Sequence, residues 1–179
     1  MSADVKTSEA DTRDERRGQP ALVRVFTGSG EGKTAAALGL ALRAIGRGMR
    51  VFVVQFLRGA HHAGERELAE RLAPDLEIRP MGREPRVNPG DPDPVDVKWA
   101  ADGVALARNA LIKGGWDVVL LEDVNLAVSY GLLDVDRVLD LIDLRPATVE
   151  LVLTGCDVHP EVIAAADLVT ELTQIKNAE

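Results

Sequence analysis

The stretch VRVFTGSGEGKT, residues 23–34, constrains this chain more than any other. A β-branched run leads into a turn containing Gly28, Gly30 and Gly32, and Lys33 and Thr34 follow at the predicted start of a helix. Phosphate binding needs several backbone N–H groups turned inward together, a curvature that glycine tolerates best, beside the positive end of a helix dipole. In such a P-loop, Lys33 supplies a point charge to the phosphates and the Thr34 hydroxyl reaches a magnesium ion. Thr27 stands where the general G-x-x-x-x-G-K-[ST] pattern has glycine, so the loop is a variant, with Thr27, Gly28, Ser29, Gly30, Glu31, Gly32, Lys33 and Thr34 as its expected nucleotide-binding residues. A chance glycine turn is the competing reading; the strand before and the helix after favour the nucleotide site. A dinucleotide loop fits less well, because its third glycine would fall at Lys33.

The rest of the chain has the pattern such a loop requires. Apolar runs at 22–26, 51–56, 117–121, 150–154 and 168–172 alternate with helical segments at 35–48, 63–73, 95–114, 134–143 and 159–166. This alternation predicts an α/β domain with a mainly parallel sheet of five or six strands and helices on both faces. The proline-rich segment 80–94 reads as a loop, since proline cannot continue a helix or an inner strand. Residues 1–20 are polar and of mixed charge and read as a flexible tail, leaving 21–179 as one domain.

A second chemical feature lies at the end of DVVLLED, residues 117–123. A buried strand delivers Glu122 and Asp123 at its C-terminal edge, where ligands sit in open α/β sheets. One of the two should face the site, since alternate residues leave a strand on opposite sides, and such an acid holds Mg²⁺ together with Thr34; Glu122 and Asp123 are both candidates for that place and, with Lys33, for the catalytic groups. The competing reading makes both solvated charges at a chain end.

Composition narrows the partners. The 179 residues include 21 Lys and Arg against 29 Asp and Glu, a net charge of −8, which argues against a protein that binds duplex nucleic acid by neutralising phosphates. Aromatics are 3% of the chain, too few for base-stacking platforms. The single cysteine, Cys156, a first segment with no signal-like apolar run, and the lack of a bilayer-length apolar stretch predict a cytoplasmic protein away from membranes.

With these residues in place, the chain resembles the P-loop corrinoid adenosyltransferases, which act on cob(I)yrinic acid a,c-diamide or cob(I)alamin. The resemblance covers about residues 22 to 176: FTGSGEGKTAAALGLALRAIGRG at 26–48, VVQFLRG at 53–59, GERE at 64–67, EDVNLAVSYGLL at 122–133, RPATVELVLTG at 145–155 and ADLVTEL at 166–172. It implies a P-loop NTPase-like (RecA-like) fold and transfer of the 5′-deoxyadenosyl group of ATP to a reduced Co(I) corrinoid, with release of triphosphate. It also implies ATP and Mg²⁺ at the loop and acid pair, a homodimer whose N-terminal segment covers the site, and a flavoprotein reductase partner.

The chain departs from the family pattern in four places. The acids run Glu122–Asp123 rather than Asp-Glu, no Phe or Trp follows Met81 closely, Cys156 stands where the family has arginine, and the stretch after Lys176 is short. Two other readings stay open on the sequence: a P-loop ATPase or phosphotransferase, and a non-catalytic ATP- or corrinoid-binding regulator or carrier. Arg58, Arg66 and Arg145 lie in family-like segments, and the sequence singles out none of them for a ligand. His61 and His62 read as solvated loop residues, His159 as a helix-start residue, Cys156 as a small buried one, DPDPVD at 91–96 as a soluble acidic loop, and Trp99 and Trp116 as packing residues.

Overall fold

A computed structural model describes residues 20–59, 63–83, 87, 89 and 91–176. Along the chain run β1 (Val23–Thr27), α1 (Lys33–Ile45), β2 (Val51–Phe56), α2 (Ala63–Leu72), β3 (Leu76–Met81) and α3 (Pro94–Lys113), then β4 (Val118–Glu122), α4 (Val124–Ser129), α5 (Val135–Leu144), β5 (Glu150–Thr154), α6 (Pro160–Ala165) and β6 (Leu168–Glu171). The six strands form one sheet in the order β3-β2-β4-β5-β1-β6, and every pairing is parallel. The expected α/β architecture with a parallel sheet is therefore the one observed.

Strand composition explains the order. β2, β4 and β5 are buried at every position, which suits inner strands covered on both faces, whereas β3 and β6 expose residues and take the edges. Successive side chains of β2 leave on opposite faces. Val51 and Val53 pack with Ala37, Ala41 and Ala44 of α1, while Phe52, Val54 and Phe56 join the larger core under α3 and α5. The alanines let α1 lie close on the sheet, which brings its first residues over the strand ends.

Three expectations need correction. Residues 76–81 form a strand that the sequence reading did not include, and Pro80, assigned there to a loop, pairs with Gln55. An edge position tolerates it, because one side of β3 needs no N–H donor. Trp99 is 38% exposed rather than packed in the core. The acidic segment before α3 is also more than solvated charge: Asp93 caps the helix by accepting the Val95 N–H, and Arg83 bonds the buried Asp96 at 2.8 and 3.1 Å. Trp116 does pack as expected, 5.2 Å from the Phe52 ring and under the Arg50 guanidinium. His61, His62 and the 1–19 part of the expected tail lie outside the described residues.

Candidate active site

The parallel sheet brings the C-terminal ends of β1, β2, β4 and β5 to one edge, and the candidate residues collect there. The loop after β1 is held from behind by the last strand. Thr27 accepts the Leu172 N–H through its carbonyl, and Gly30 donates to the Leu172 carbonyl at 2.9 Å. Gly28, at φ 98°, has to be glycine on two counts, since a Cβ there would also collide with the Leu172 carbonyl. Ser29, Glu31 and Gly32 are exposed on the loop's outer side, and Gly32 precedes α1 as its N-cap. The Lys33 ammonium turns back across the loop and donates to the carbonyls of Gly28 at 2.7 Å and Gly30 at 2.8 Å.

Thr34 connects the loop to the acid pair. Its hydroxyl donates to Glu122 Oε1 at 2.8 Å, joining residues that the sequence separates widely. Glu122, the last residue of β4, is 0% exposed. Its other oxygen accepts from Gln55 Nε2 at 2.8 Å, and the same Gln55 nitrogen donates to Glu65 at 2.6 Å. Burial pushes the Glu122 carboxyl above the usual carboxylate range; Gln55, Arg58 and Thr34 pull it back, and the nearby charge of Glu65 adds to the rise. Asp123 follows in a left-handed conformation, φ 58°, with its N–H donating to the Thr154 hydroxyl at 2.9 Å.

Arg58 faces both acids. Its guanidinium lies 3.2 Å from Glu122 Oε1, 3.4 Å from Asp123 Oδ2 and 3.8 Å from Glu65 Oε1. Leu57 before it is also left-handed, φ 64°, a conformation costing a branched residue roughly 1–2 kcal/mol. Gly82 permits this turn, because a Cβ at that position would sit 2.5 Å from the Arg58 nitrogen. Among the described residues, the non-glycine residues of positive φ are Leu57, Asp123 and Asp157, all just beyond strand ends at this edge. Beside them Asn125 is buried, and among the described residues neither side-chain polar atom has a hydrogen-bond partner.

Sequence reasoning named Lys33, Thr34, Glu122 and Asp123, and the fold brings them to one edge. It missed Gln55 and Glu65 and left Arg58 undistinguished from Arg66 and Arg145. Arg66 faces Glu70 on an exposed helix surface, and Arg145 donates to the carbonyls of Pro146 and Val149, so neither shares the acid cluster. Gln55 had a readable signal, being the one polar residue in VFVVQF. Cys156 is half-buried, and His159 caps α6 through Nδ1.

The donor set suits a magnesium ion. Mg²⁺ takes one or two carboxylates with waters and substrate phosphates rather than an all-protein cage. Among the described residues no group of three or more His, Cys, Asp or Glu is arranged to hold a metal, and one hydroxyl with two acids beside a phosphate loop needs no such group. Cavities elsewhere, such as one of about 260 Å³ lined by Arg24, Arg43 and Arg47, lie away from these residues.

Residues 19–179 match the family model described as ATP:corrinoid adenosyltransferase BtuR/CobO/CobP. The chain belongs to the ATP:corrinoid adenosyltransferase family. Among its relatives, the corrinoid adenosyltransferase of Pseudomonas aeruginosa is 35% identical over 173 residues, covering 94% of this chain and 81% of that protein. That of Escherichia coli K12 is 33% identical over 171 residues, covering 94% and 83%. Membership makes the chain an adenosyltransferase, and the ATPase, phosphotransferase and carrier readings are not favoured. The flagellar accessory protein FlaH of Methanocaldococcus jannaschii is similar in fold alone, with a TM-score of 0.58 at 13% identity over 92% of this chain and 77% of that one. The P-loop NTPase-like (RecA-like) fold agrees with that likeness. Among the described residues no helix is long and apolar enough to cross a membrane.

Proposed function

We propose that this chain carries out the family's transfer with the residues gathered at the β1, β2 and β4 ends. The Co(I) of a reduced corrinoid donates its electron pair to C5′ of ATP, the C5′–O bond breaks, and the oxygen leaves with triphosphate. No side-chain nucleophile is needed. The protein's contribution is to hold C5′ in line with cobalt and to stabilise the charge that grows on the leaving group. The backbone N–H groups of residues 28–34 and the α1 N-terminus bind the phosphates, and Lys33 swings from the Gly28 and Gly30 carbonyls onto them. Thr34, Glu122 and Asp123 would hold Mg²⁺, whose charge offsets that of the triphosphate.

The observation that carries this reading is the 2.8 Å bond from Thr34 to Glu122, which ties a phosphate loop to a buried carboxylate in a chain of this family. The swapped acid order is compatible with it, because Glu122 is the acid on the strand and Asp123 occupies the turn beyond. Residues 21–179 acting as one domain, a homodimer with residues 1–20 over the site, a flavoprotein that supplies Co(I), and a cytoplasmic setting belong to the same proposal.

The test is the phosphate product of ATP, resolved by phosphorus NMR under anaerobic reduction with and without a Co(I) corrinoid. Triphosphate that forms only with corrinoid is the expected result. ADP with orthophosphate would reject the assignment of the broken bond.

A further inference from the structure

Among the described residues, the acid cluster beside the phosphate loop has more negative charge than the one guanidinium in contact with it can balance. Glu65, Glu122 and Asp123 converge on a single guanidinium, that of Arg58, and Lys33 is engaged elsewhere with loop carbonyls. With all three acids ionised, these four side chains carry a net charge of −2, the amount one divalent cation offsets. Arg58 also meets Glu122 at Oε1, the oxygen that already accepts the Thr34 hydroxyl. A metal ligated by Thr34 and Glu122 must contend with that guanidinium for the same oxygen. The contacts holding Arg58 run from 3.2 to 3.8 Å, longer than the ~2.7–2.9 Å of a tight charge-assisted hydrogen bond, and its side chain is 28% exposed. It is held loosely and has solvent to move into.

We propose that Arg58 is a placeholder cation: it neutralises part of the Glu122–Asp123 pair before the metal–nucleotide binds and gives up Glu122 Oε1 when the divalent ion arrives. The exchange keeps the buried carboxylate from standing uncompensated at any stage. It also leaves a displaced guanidinium at the site as the anionic nucleotide enters. Arg58 is a positioning residue in this account, since it acts through the acids. The proposal rests on the preceding reading only in taking Glu122 and Asp123 as the metal's carboxylates.

Metal binding to the full chain, without nucleotide or corrinoid, tests this apart from any turnover. Mn²⁺ is the probe, and its free fraction is read by electron paramagnetic resonance. Removing a positive charge a few ångströms away should tighten Mn²⁺ binding by at least about tenfold in Arg58→Gln, and likewise in Arg58→Met, which keeps the packing of the stem. Arg58→Lys should stay near the unaltered protein, because the charge remains. Adding Glu122→Gln to Arg58→Gln should abolish the gain. If Arg58 only braces the acids, the neutral variants will bind Mn²⁺ equally or more weakly with unchanged thermal unfolding, and that result overturns the proposal. A gain that survives Glu122→Gln overturns it as well, since the ion then lies elsewhere. Failure of adenosyl transfer would show in the phosphate products and leave these binding ratios untouched.

Discussion

Glu122 and Glu150 are the same residue type on neighbouring strands of one sheet, both buried, yet they sit in opposite circumstances. Glu150 opens β5 at the N-terminal edge and pairs with Arg24 Nε at 2.5 Å, one acid to one base. Glu122 closes β4 at the C-terminal edge and collects Thr34, Gln55 and Arg58, while Glu65 and Asp123 compete for the same cation. Its carboxyl is held above the ordinary range, chiefly by burial. The Arg24–Glu150 pair can balance itself. A carboxylate set in a surplus of its own charge is the arrangement expected where a ligand supplies the missing cation, and parallel sheets place ligands at that edge.

Substitutions can break this contrast, beginning with the largest effect. Glu122→Gln should lower corrinoid-dependent triphosphate formation by ~10²-fold or more, the scale of losing a preorganised electrostatic group, and an unimpaired variant would remove the functional half of the comparison. Lys33→Ala should weaken ATP binding or turnover by at least about tenfold, the loss of about 1.4 kcal/mol at the phosphates, measured by calorimetry and initial rates. Glu150→Ala should leave initial rates within about twofold but cost about 1–2 kcal/mol, because a half-buried Arg24 loses its partner. Its melting temperature should fall by about 2–8 °C, and loss of activity without that fall would erase the distinction between the two glutamates.

The smallest effect is expected at Asp93, an exposed acid that calibrates the scale. The Val95 N–H, and after it the Arg83 guanidinium, lower its carboxyl against an opposing desolvation. Its folded value is depressed from 3.8, so its stabilisation is present above that pH and is lost as the pH falls through the folded value. Asp93→Asn, which still caps the helix, should unfold at a slightly lower temperature at neutral pH and match the unaltered protein once the acid is protonated in both states. Thermal unfolding followed across the acid range checks this.

What the sequence made legible was the part governed by local chemistry. Glycines before Lys33 and Thr34 marked the loop, and β-branched runs marked the strands buried on both faces. β3 was missed because Glu77, Arg79 and Pro80 interrupt its apolar run, and an edge strand needs only one buried face. α4 spans six residues, too few to show a helical period. Trp99 was misplaced because the buried stripe of α3 runs through Ala100, Gly103, Ala107 and Ala110, and the preceding position points roughly 100° away. Gln55, Arg58 and Glu65 were hard to see together, since their association with Glu122 depends on β2 pairing with β4 across a long stretch of chain.

The hold of Leu172 on the phosphate loop has a consequence for how the protein is made. The loop is translated well before the segment that clasps Thr27 and Gly30, which follows every other strand. A nascent chain released stepwise from the ribosome would expose the glycine turn long before its clasp could form. Competence to grip a triphosphate should therefore emerge abruptly once Leu172 has left the ribosome, and a product truncated before that residue would compete poorly for the cell's ATP.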